Sequence, residues 1–507
     1  MPRFRGFVLS LAAVAALSSL ALNAADQAAQ GVAEDPAAQY QLATELFDAA
    51  RYREALGAYA LVTGADDATL VDRARRGRVR SGLRIAEFDL VLREAELLNA
   101  APAADAEART LLGDALWANG RFDEADTAYR HALAEAPQSV RARFGLARSL
   151  ATRNQLDDAL SEALVAAREA PQDAEVQALV GLVYERLNRF EEAADAFERY
   201  LALLPARGDS QMAAIFLSKV RLLRSFKGRV PLQMDPASAG RMHRVPFRLV
   251  NKKIVLQGRI NRSTVEFVLD TGSERTGLSD ATARRAGISA ITSTLTAGVG
   301  IAALRKLDLG RADTLDVGSL HMRNVPVAIR AAVRNALPRW QSESLSPLSL
   351  GLSLVVDYQR REILLGQTLP DGDADFRLPM RMNRLPMVRG LLNSTHPAYF
   401  VIDTGGELIS ISAETATALS MRPSRRIPLR VFGMSGIDAN AFLLPGVNLD
   451  FEEIEYRNVG LAVLNLRAPS VLLGFQLGGI VGHRFLGEYR VSMDMGRSEL
   501  RLEKLGG

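Results

Sequence analysis

Two stretches of this chain are variants of one another. Val265-Glu266-Phe267-Val268-Leu269 runs into Asp270-Thr271-Gly272-Ser273, and Ala398-Tyr399-Phe400-Val401-Ile402 runs into Asp403-Thr404-Gly405-Gly406, at a separation of 133 residues. Each is an apolar run suited to a buried strand, ended by the aspartate and glycine of a turn. The likeness continues without a gap. Leu278-Ser279 answers Ile411-Ser412, and each serine is placed to cap a short helix, Asp280 to Ala286 in one copy and Ala413 to Leu419 in the other. Farther on, Val355-Val356-Asp357-Tyr358 and Glu362-Ile363-Leu364-Leu365 parallel Val491-Ser492-Met493-Asp494 and Glu499-Leu500-Arg501-Leu502, which read as a closing pair of strands. A unit that occurs twice commits this half of the chain to a duplicated all-β fold, with lobes predicted over 246–370 and 371–507.

Composition removes several kinds of chemistry. The 507 residues are 48% hydrophobic and 24% charged, enough for several packed domains and too apolar for a disordered chain. A formal charge of +4 with no basic block argues against a dedicated nucleic-acid protein. The absence of cysteine excludes disulfides, thiolate nucleophiles and cysteine-held metals. The five histidines, at 131, 243, 321, 396 and 483, include no pair at metal-ligand spacing. The sequence therefore predicts neither a metal nor a cofactor.

Upstream, between about 35 and 205, the periodicity is helical and it repeats every 34 residues. Ala125, Ala159 and Ala193 are equally spaced, as are Pro137, Pro171 and Pro205; Gly113 and Gly181 fall two periods apart, as do Tyr129 and Phe197. Small residues let helices approach, aromatics fill the gap between hairpins, and proline ends the second helix of each unit. The pattern resembles the tetratricopeptide repeat family, with three well-matched units over about 106–205. Ala55 and Tyr59 after Phe47 mark a further unit, and 70–104 keeps helical character without the signature. Five hairpins are predicted. The resemblance implies a surface for a peptide or protein partner rather than a source of chemistry.

The join, 206–245, is predicted to hold a capping helix from Ser210 to Phe226 and then an extended linker, Pro231 to Pro236. Gly208-Asp209-Ser210 looks like an esterase nucleophile motif, but Ser210 reads better as an N-cap. At the amino terminus, Arg3 and Arg5 precede an apolar run from Phe7 to Leu22, followed by Ala24 and Ala25 before Asp26. That is the layout of a secretory signal peptide over 1–25, with a retained anchor as the alternative and no later segment long and apolar enough to span a bilayer. The expected location is outside the cytoplasm, and a bacterial periplasm suits a chain without disulfides.

The paired Asp-Thr-Gly turns resemble the aspartic peptidases of the retropepsin-like and pepsin-like kind, in which each lobe supplies one such turn. Gly479-Ile480-Val481-Gly482-His483-Arg484-Phe485-Leu486 extends the match, since that family has an apolar-apolar-glycine strand followed by a helix there. The fold class implied for the whole is multidomain: an all-α solenoid of helical hairpins, then an all-β duplicated pair of acid-protease barrels. The resemblance further implies a catalytic pair, Asp270 and Asp403, supporting turns at Thr271, Gly272, Ser273, Thr404 and Gly405, threonines that brace the turns, and a Ser273 hydroxyl that orients its aspartate. Flaps are placed at Gly298-Val299-Gly300 and at Gly433-Met434-Ser435-Gly436. Two carboxyls that meet across a pseudo-twofold axis share one proton, so one acts as base and the other as acid without metal or cofactor.

Three departures stand out. Gly406 replaces a small hydroxylic or methyl residue, neither flap has the pepsin-type tyrosine, and Ser346-Pro347-Leu348-Ser349-Leu350-Gly351 is too compressed for the supporting helix of the first lobe. Lobes pairing between two chains are a further arrangement, although the short connection at 366–376 favours pairing within one. The leading expectation is an exported aspartic endopeptidase with peptide or protein substrates, the alternative a non-catalytic binding scaffold. Both acids are kept, which favours the enzyme, because a buried like-charge pair costs stability and a structural turn accepts asparagine.

Overall fold

The computed structural model describes residues 35–204, 210–300, 304–331, 342–420, 427–433 and 436–506. Residues 1–25, read from the sequence as a signal peptide, and Pro205, Gly208, Asp209, Met434 and Ser435 lie outside them. The chain divides into two compact units, one up to Ala115 and one from Leu116 to Gly507. The packing boundary thus falls inside the repeats and not at the change of sequence pattern near 245.

Ten helices follow one another among the described residues up to 204: α1 Pro36–Asp48, α2 Tyr52–Val62, α3 Ala68–Arg84, α4 Phe88–Ala100, α5 Ala106–Ala118, α6 Phe122–Glu135, α7 Val140–Thr152, α8 Leu156–Glu169, α9 Ala174–Arg186 and α10 Phe190–Leu203. The capping helix follows as α11, Gln211–Arg224, with the Ser210 hydroxyl accepting the Ala213 N–H. The repeat residues do what their spacing requires. Ala125, Ala159 and Ala193 are fully buried, and a Cβ on Gly77, Gly145 or Gly181 would run into the ring of Tyr59, Tyr129 or Phe197 respectively.

The β strands are β1 Gln233–Met234, β2 His243–Val250, β3 Lys253–Ile260, β4 Ser263–Leu269, β5 Gly277–Ser279, β6 Ala290–Thr296, β7 Arg305–Val317, β8 Leu320–Arg330, β9 Ser344–Leu345, β10 Ser353–Asp357 and β11 Glu362–Gly366 in the first lobe. In the second they are β12 Phe376–Asn383, β13 Leu385–Leu392, β14 His396–Ile402, β15 Ile409–Ser412, β16 Ile427–Pro428, β17 Val431–Gly433, β18 Gly436–Asp438, β19 Phe442–Phe451, β20 Ile454–Leu464, β21 Gly479–Val481, β22 Tyr489–Asp494 and β23 Glu499–Lys504. The duplication holds at the level of pairing. In the first lobe β4 lies parallel to β9, β9 antiparallel to β5, and β5 parallel to β8; in the second β14, β21, β15 and β20 repeat that order and those directions. The capped helices recur as α12 Asp280–Arg285 and α13 Ala413–Ala418, behind Ser279 and Ser412.

The closing strands do more than close each lobe. The β10–β11 pair and the β22–β23 pair join through β10 and β22, where Val355 faces Ser492, and β2 and β12 add to the outer edges. This six-stranded antiparallel sheet carries both lobes of one chain, so pairing is within the chain. The linker Pro231 to Pro236 is also not wholly free: Gln233 and Met234 form β1 against β8. Where the second lobe has helix α15, His483–Leu486, the first has only a 3-10 turn at Pro347–Leu350, as the compressed sequence implies. A further helix, α14, spans Arg467–Leu473. None of the helices among the described residues is long and apolar enough to cross a membrane.

Within the second unit, the repeats and the lobes share a core. Phe122 packs its ring edge-on against Trp117, Tyr399 and Phe475 at centroid distances of 4.7, 4.8 and 5.0 Å. Phe226 and Phe216 join Leu309 and Ala328 of the first lobe in one apolar cluster. Removing a buried aromatic loses its transfer free energy and leaves a cavity. Phe122→Ala is expected to lose about 3–5 kcal/mol of stability, measured by urea unfolding. An effect below about 1 kcal/mol would show that this cluster does not join array to lobe.

Candidate active site

Strands β4 and β14 deliver the two aspartates. The Asp270 N–H donates to the Leu345 carbonyl at 2.9 Å and the Asp403 N–H to the Val481 carbonyl at 3.0 Å, so each turn starts pinned to its neighbouring strand. The turns then lock to each other. The Thr271 N–H donates to Thr404 Oγ1 and the Thr404 N–H to Thr271 Oγ1, both at 3.1 Å. Each hydroxyl passes its own hydrogen to the opposite strand end, Thr271 Oγ1 to the Ile402 carbonyl at 2.6 Å and Thr404 Oγ1 to the Leu269 carbonyl at 2.9 Å. All four bonds are buried, and the braces expected of the threonines are present.

This lock brings the carboxyls together. A Cβ on Gly272 would fall 2.5 Å from Asp403 Cγ, and one on Gly405 would fall 2.9 Å from Asp270 Cγ, so only glycine fits at either place. The two buried carboxyls lie close enough for each to act on the other's proton. Burial, and then the charge of Asp403, push the Asp270 carboxyl well above the ordinary carboxylate range. Burial also raises Asp403, but the Lys253 ammonium and the N–H groups of Gly405 and Gly406 pull it back. The Gly405 N–H donates to Asp403 Oδ1 at 2.8 Å.

Ser273 does not orient Asp270. Its hydroxyl donates to the Arg275 carbonyl at 2.9 Å, and the Ser273 carbonyl accepts from Ser346 Oγ at 2.6 Å. The backbone N–H of Gly272 favours the charged form of Asp270, as those of Gly405 and Gly406 favour that of Asp403.

The flap glycines come together. Gly298-Val299-Gly300 follows β6 at the turn toward β7, while Gly433 and Gly436 pair across the β17–β18 hairpin. A Cβ on Gly433 would strike the Val299 carbonyl, and one on Gly300 would lie 2.7 Å from the Gly436 backbone. Gly300 and Gly436 also hold φ of 130° and 121°, where L side chains are strained.

Six charged groups escaped the sequence reading. Lys253, at the start of β3, reaches into the second lobe: its ammonium donates to the Gly405 carbonyl and lies 3.8 Å from Glu407. Arg384, at the tip of the β12–β13 hairpin, crosses the other way and bonds Glu274 at 2.7 Å. Glu274 and Glu407 each stand four residues beyond their aspartate, so the 133-residue register alone would have paired them. Arg330, at the end of β8, donates to Ser344 Oγ at 2.6 Å, and its charge acts on Asp270. Glu343 accepts from the Ser279 hydroxyl and the Thr282 hydroxyl, each at 2.6 Å, and so anchors helix α12. Nothing in the local sequence marks Lys253 or Arg330. Among the described residues no cluster of three His, Asp or Glu side chains is placed to hold a metal.

A family model described as aspartyl protease matches residues 256–367, the first lobe and its Asp270 turn. Two models described as tetratricopeptide repeat match residues 116–183 and 162–208. No curated protein matches. Among solved structures, the chain is similar to YrrB, a TPR protein with an unusual peptide-binding site, at 20% identity over 37% of this chain and 94% of that one, with a TM-score of 0.24. It is also similar to TTC0263, a thermophilic TPR protein of Thermus thermophilus, at 16% identity over 37% and 99%, with a TM-score of 0.32. MamA matches at 18% identity over 34% and 92%, with a TM-score of 0.25. The chain carries tetratricopeptide repeats over 116–208 and, downstream of them, an aspartyl protease domain over 256–367.

Proposed function

We propose that this protein is an exported aspartic endopeptidase, with its repeats serving to dock a peptide or protein substrate or partner. One observation carries the reading: two buried carboxyls are brought together by turns that hold each other through reciprocal threonine bonds. Two such groups cannot both ionise cheaply, so they keep one proton between them. Asp403, favoured by Lys253 and the Gly405 N–H, takes the charge and removes a proton from water. Asp270 holds the shared proton and gives it to the carbonyl oxygen of the peptide bond as water adds to the carbon. Collapse of the tetrahedral adduct returns a proton to the leaving nitrogen and breaks the C–N bond. The glycines at the flap tips allow the segments to part for a peptide and to exclude water afterwards.

Asp270→Asn and Asp403→Asn are each expected to reduce cleavage of a denatured-protein or peptide library by on the order of 10²–10⁴-fold. Cleavage that persists in both variants would overturn the proposal in favour of a scaffold that holds peptides without cutting them. The pH profile should be bell-shaped. Below the range in which Asp403 ionises the base is lost, and above the raised range of Asp270 the acid is lost.

Stability should follow the same protons. A carboxyl raised on folding binds its proton more tightly in the folded state, so its contribution is full below the unfolded value of about 4 and is lost as pH rises through the raised folded value. Asp270→Asn should therefore melt higher than the wild type at pH 7, with the difference shrinking toward pH 4. A constant difference across that window would contradict the shared proton.

Export rests on residues 1–25. Mass spectrometry of protein recovered from the periplasm should find a new amino terminus close after Ala25, and deletion of residues 1–25 should leave the protein inside the cell. An intact Met1 on the periplasmic protein would favour a retained anchor.

A further inference from the structure

We propose that the consecutive residues Glu185 and Arg186, at the end of repeat helix α9, act as a positioning clamp that sets the two dyad-bearing lobes against each other. The inference rests on the reading of Asp270 and Asp403 as a catalytic pair and adds to it a part played by the repeat array.

The clamp is a closed circuit of contacts. Glu185 Oε1 accepts from Arg275 Nη2 at 3.1 Å, and its other oxygen accepts from Lys219 of α11 at 2.5 Å. Arg275 stands five residues beyond Asp270 in the same turn, with its carbonyl tied to the Ser273 hydroxyl. Its neighbour Glu274 bonds Arg384, at the tip of the β12–β13 hairpin of the second lobe. Two residues before that tip, the Met382 carbonyl accepts from Arg186 Nη1 at 3.1 Å. Glu185 thus grips the dyad turn of the first lobe, Arg186 grips the first hairpin of the second, and Glu274 with Arg384 closes the ring between the lobes.

The contacts are buried enough to matter. The side chains of Glu185, Lys219 and Arg275 are 17%, 16% and 21% exposed. Burial disfavours the Glu185 charge, yet Lys219 and Arg275 outweigh it and hold the carboxyl down at about 2. Arg186 has oxygen acceptors on three sides: the Ala151 carbonyl, Asn154 Oδ1 at 2.7 Å and the Met382 carbonyl. Asn154 in turn donates to the Met495 carbonyl at 2.9 Å, which fastens the same corner of the array to the second lobe again.

Comparison of the two halves separates this clamp from what the fold needs. Glu274 and Glu407 are equivalent, and each pairs with a cation from the other lobe. The equivalent of Arg275 is Leu408, which is 41% exposed. A lobe of this kind therefore builds its turn without an array contact, and the Glu185–Arg275 bond is an addition to one copy. Small displacements of a reacting group lower rates steeply, so a clamp that fixes the relation of the turns acts on kcat more than on substrate binding.

The test compares Glu185→Gln, Glu185→Asp and Arg186→Gln in the full exported chain, by peptide cleavage and by amide hydrogen exchange. Glu185→Gln and Arg186→Gln are expected to lower kcat on the order of 10-fold or more with KM within about two-fold, and Glu185→Asp to recover part of the loss. Exchange should quicken in two places remote from α9 in sequence, 270–276 and 380–386. Unchanged kcat in a cleaving enzyme, or faster exchange confined to α9 and α11, would overturn the clamp. If the wild type cleaves nothing, the peptidase reading fails, while the exchange at 270–276 and 380–386 still decides whether Glu185 and Arg186 hold the two turns.

Discussion

The two threonines, each giving an N–H to the other's hydroxyl oxygen, oblige a pair of like charges to meet. Thr271 and Thr404 fix the turn backbones to one another, and the aspartates immediately before them have no room to separate. Burying two carboxyls in contact is unfavourable, by desolvation first and repulsion second. The structure answers with several independent constraints: the six-stranded sheet that runs through both lobes, the bonds that pin each aspartate N–H to β9 or β21, and the crossed ion pairs of Glu274 and Glu407. Relief of the repulsion comes from protonation, which is why the strain and the proposed chemistry are the same thing seen twice.

Much of this was legible beforehand because it is periodic. A 34-residue spacing of alanine and proline is enough for hairpins, and the described residues hold ten helices in the stretch where five hairpins were expected. The duplicated apolar run, turn and serine cap likewise specify strand, turn and helix locally, and the helices begin at the expected Asp280 and Ala413. What escaped is tertiary. Lys253 and Arg330 sit in ordinary strand sequences, and nothing about either neighbourhood says that the chain will fold a cation against a carboxylate far along it. The Ser273 reading went wrong for a related reason. Family resemblance supplied a role, but a serine hydroxyl readily bonds a backbone carbonyl two residues on, and here it takes that of Arg275.

Change of sequence pattern is also a poor guide to where packing stops. The pattern turns from helical to β-type near 245, whereas the compact unit begins at Leu116. Amphipathic helices carry enough apolar surface to bury a second face, and Phe122, Phe216 and Phe226 spend theirs on the lobes. The repeats from α6 onward are therefore part of the structural support of the lobes, in addition to any surface they present to a ligand.

Where the duplicated halves remain alike, they do work that both lobes need: the aspartate, threonine and glycine of the turn, the acid four residues on, and the serine cap. Where they differ, the two carboxyls become inequivalent. Strand register places Arg330 beside Ser279 in the first lobe and Leu464 beside Ser412 in the second, and the Arg330 charge works against a proton on Asp270. Lys253 crosses to the Gly405 carbonyl, while the returning cation, Arg384, ends on Glu274 and the Leu472 carbonyl. The turn of Asp403 consequently holds an ammonium on its own backbone, and in the proposed pair the proton is left to Asp270, where burial and the charge of Asp403 outweigh Arg330. A symmetric pair would have no reason to prefer either assignment. In this chain divergence after duplication supplies the preference, and it does so with residues that no turn motif contains.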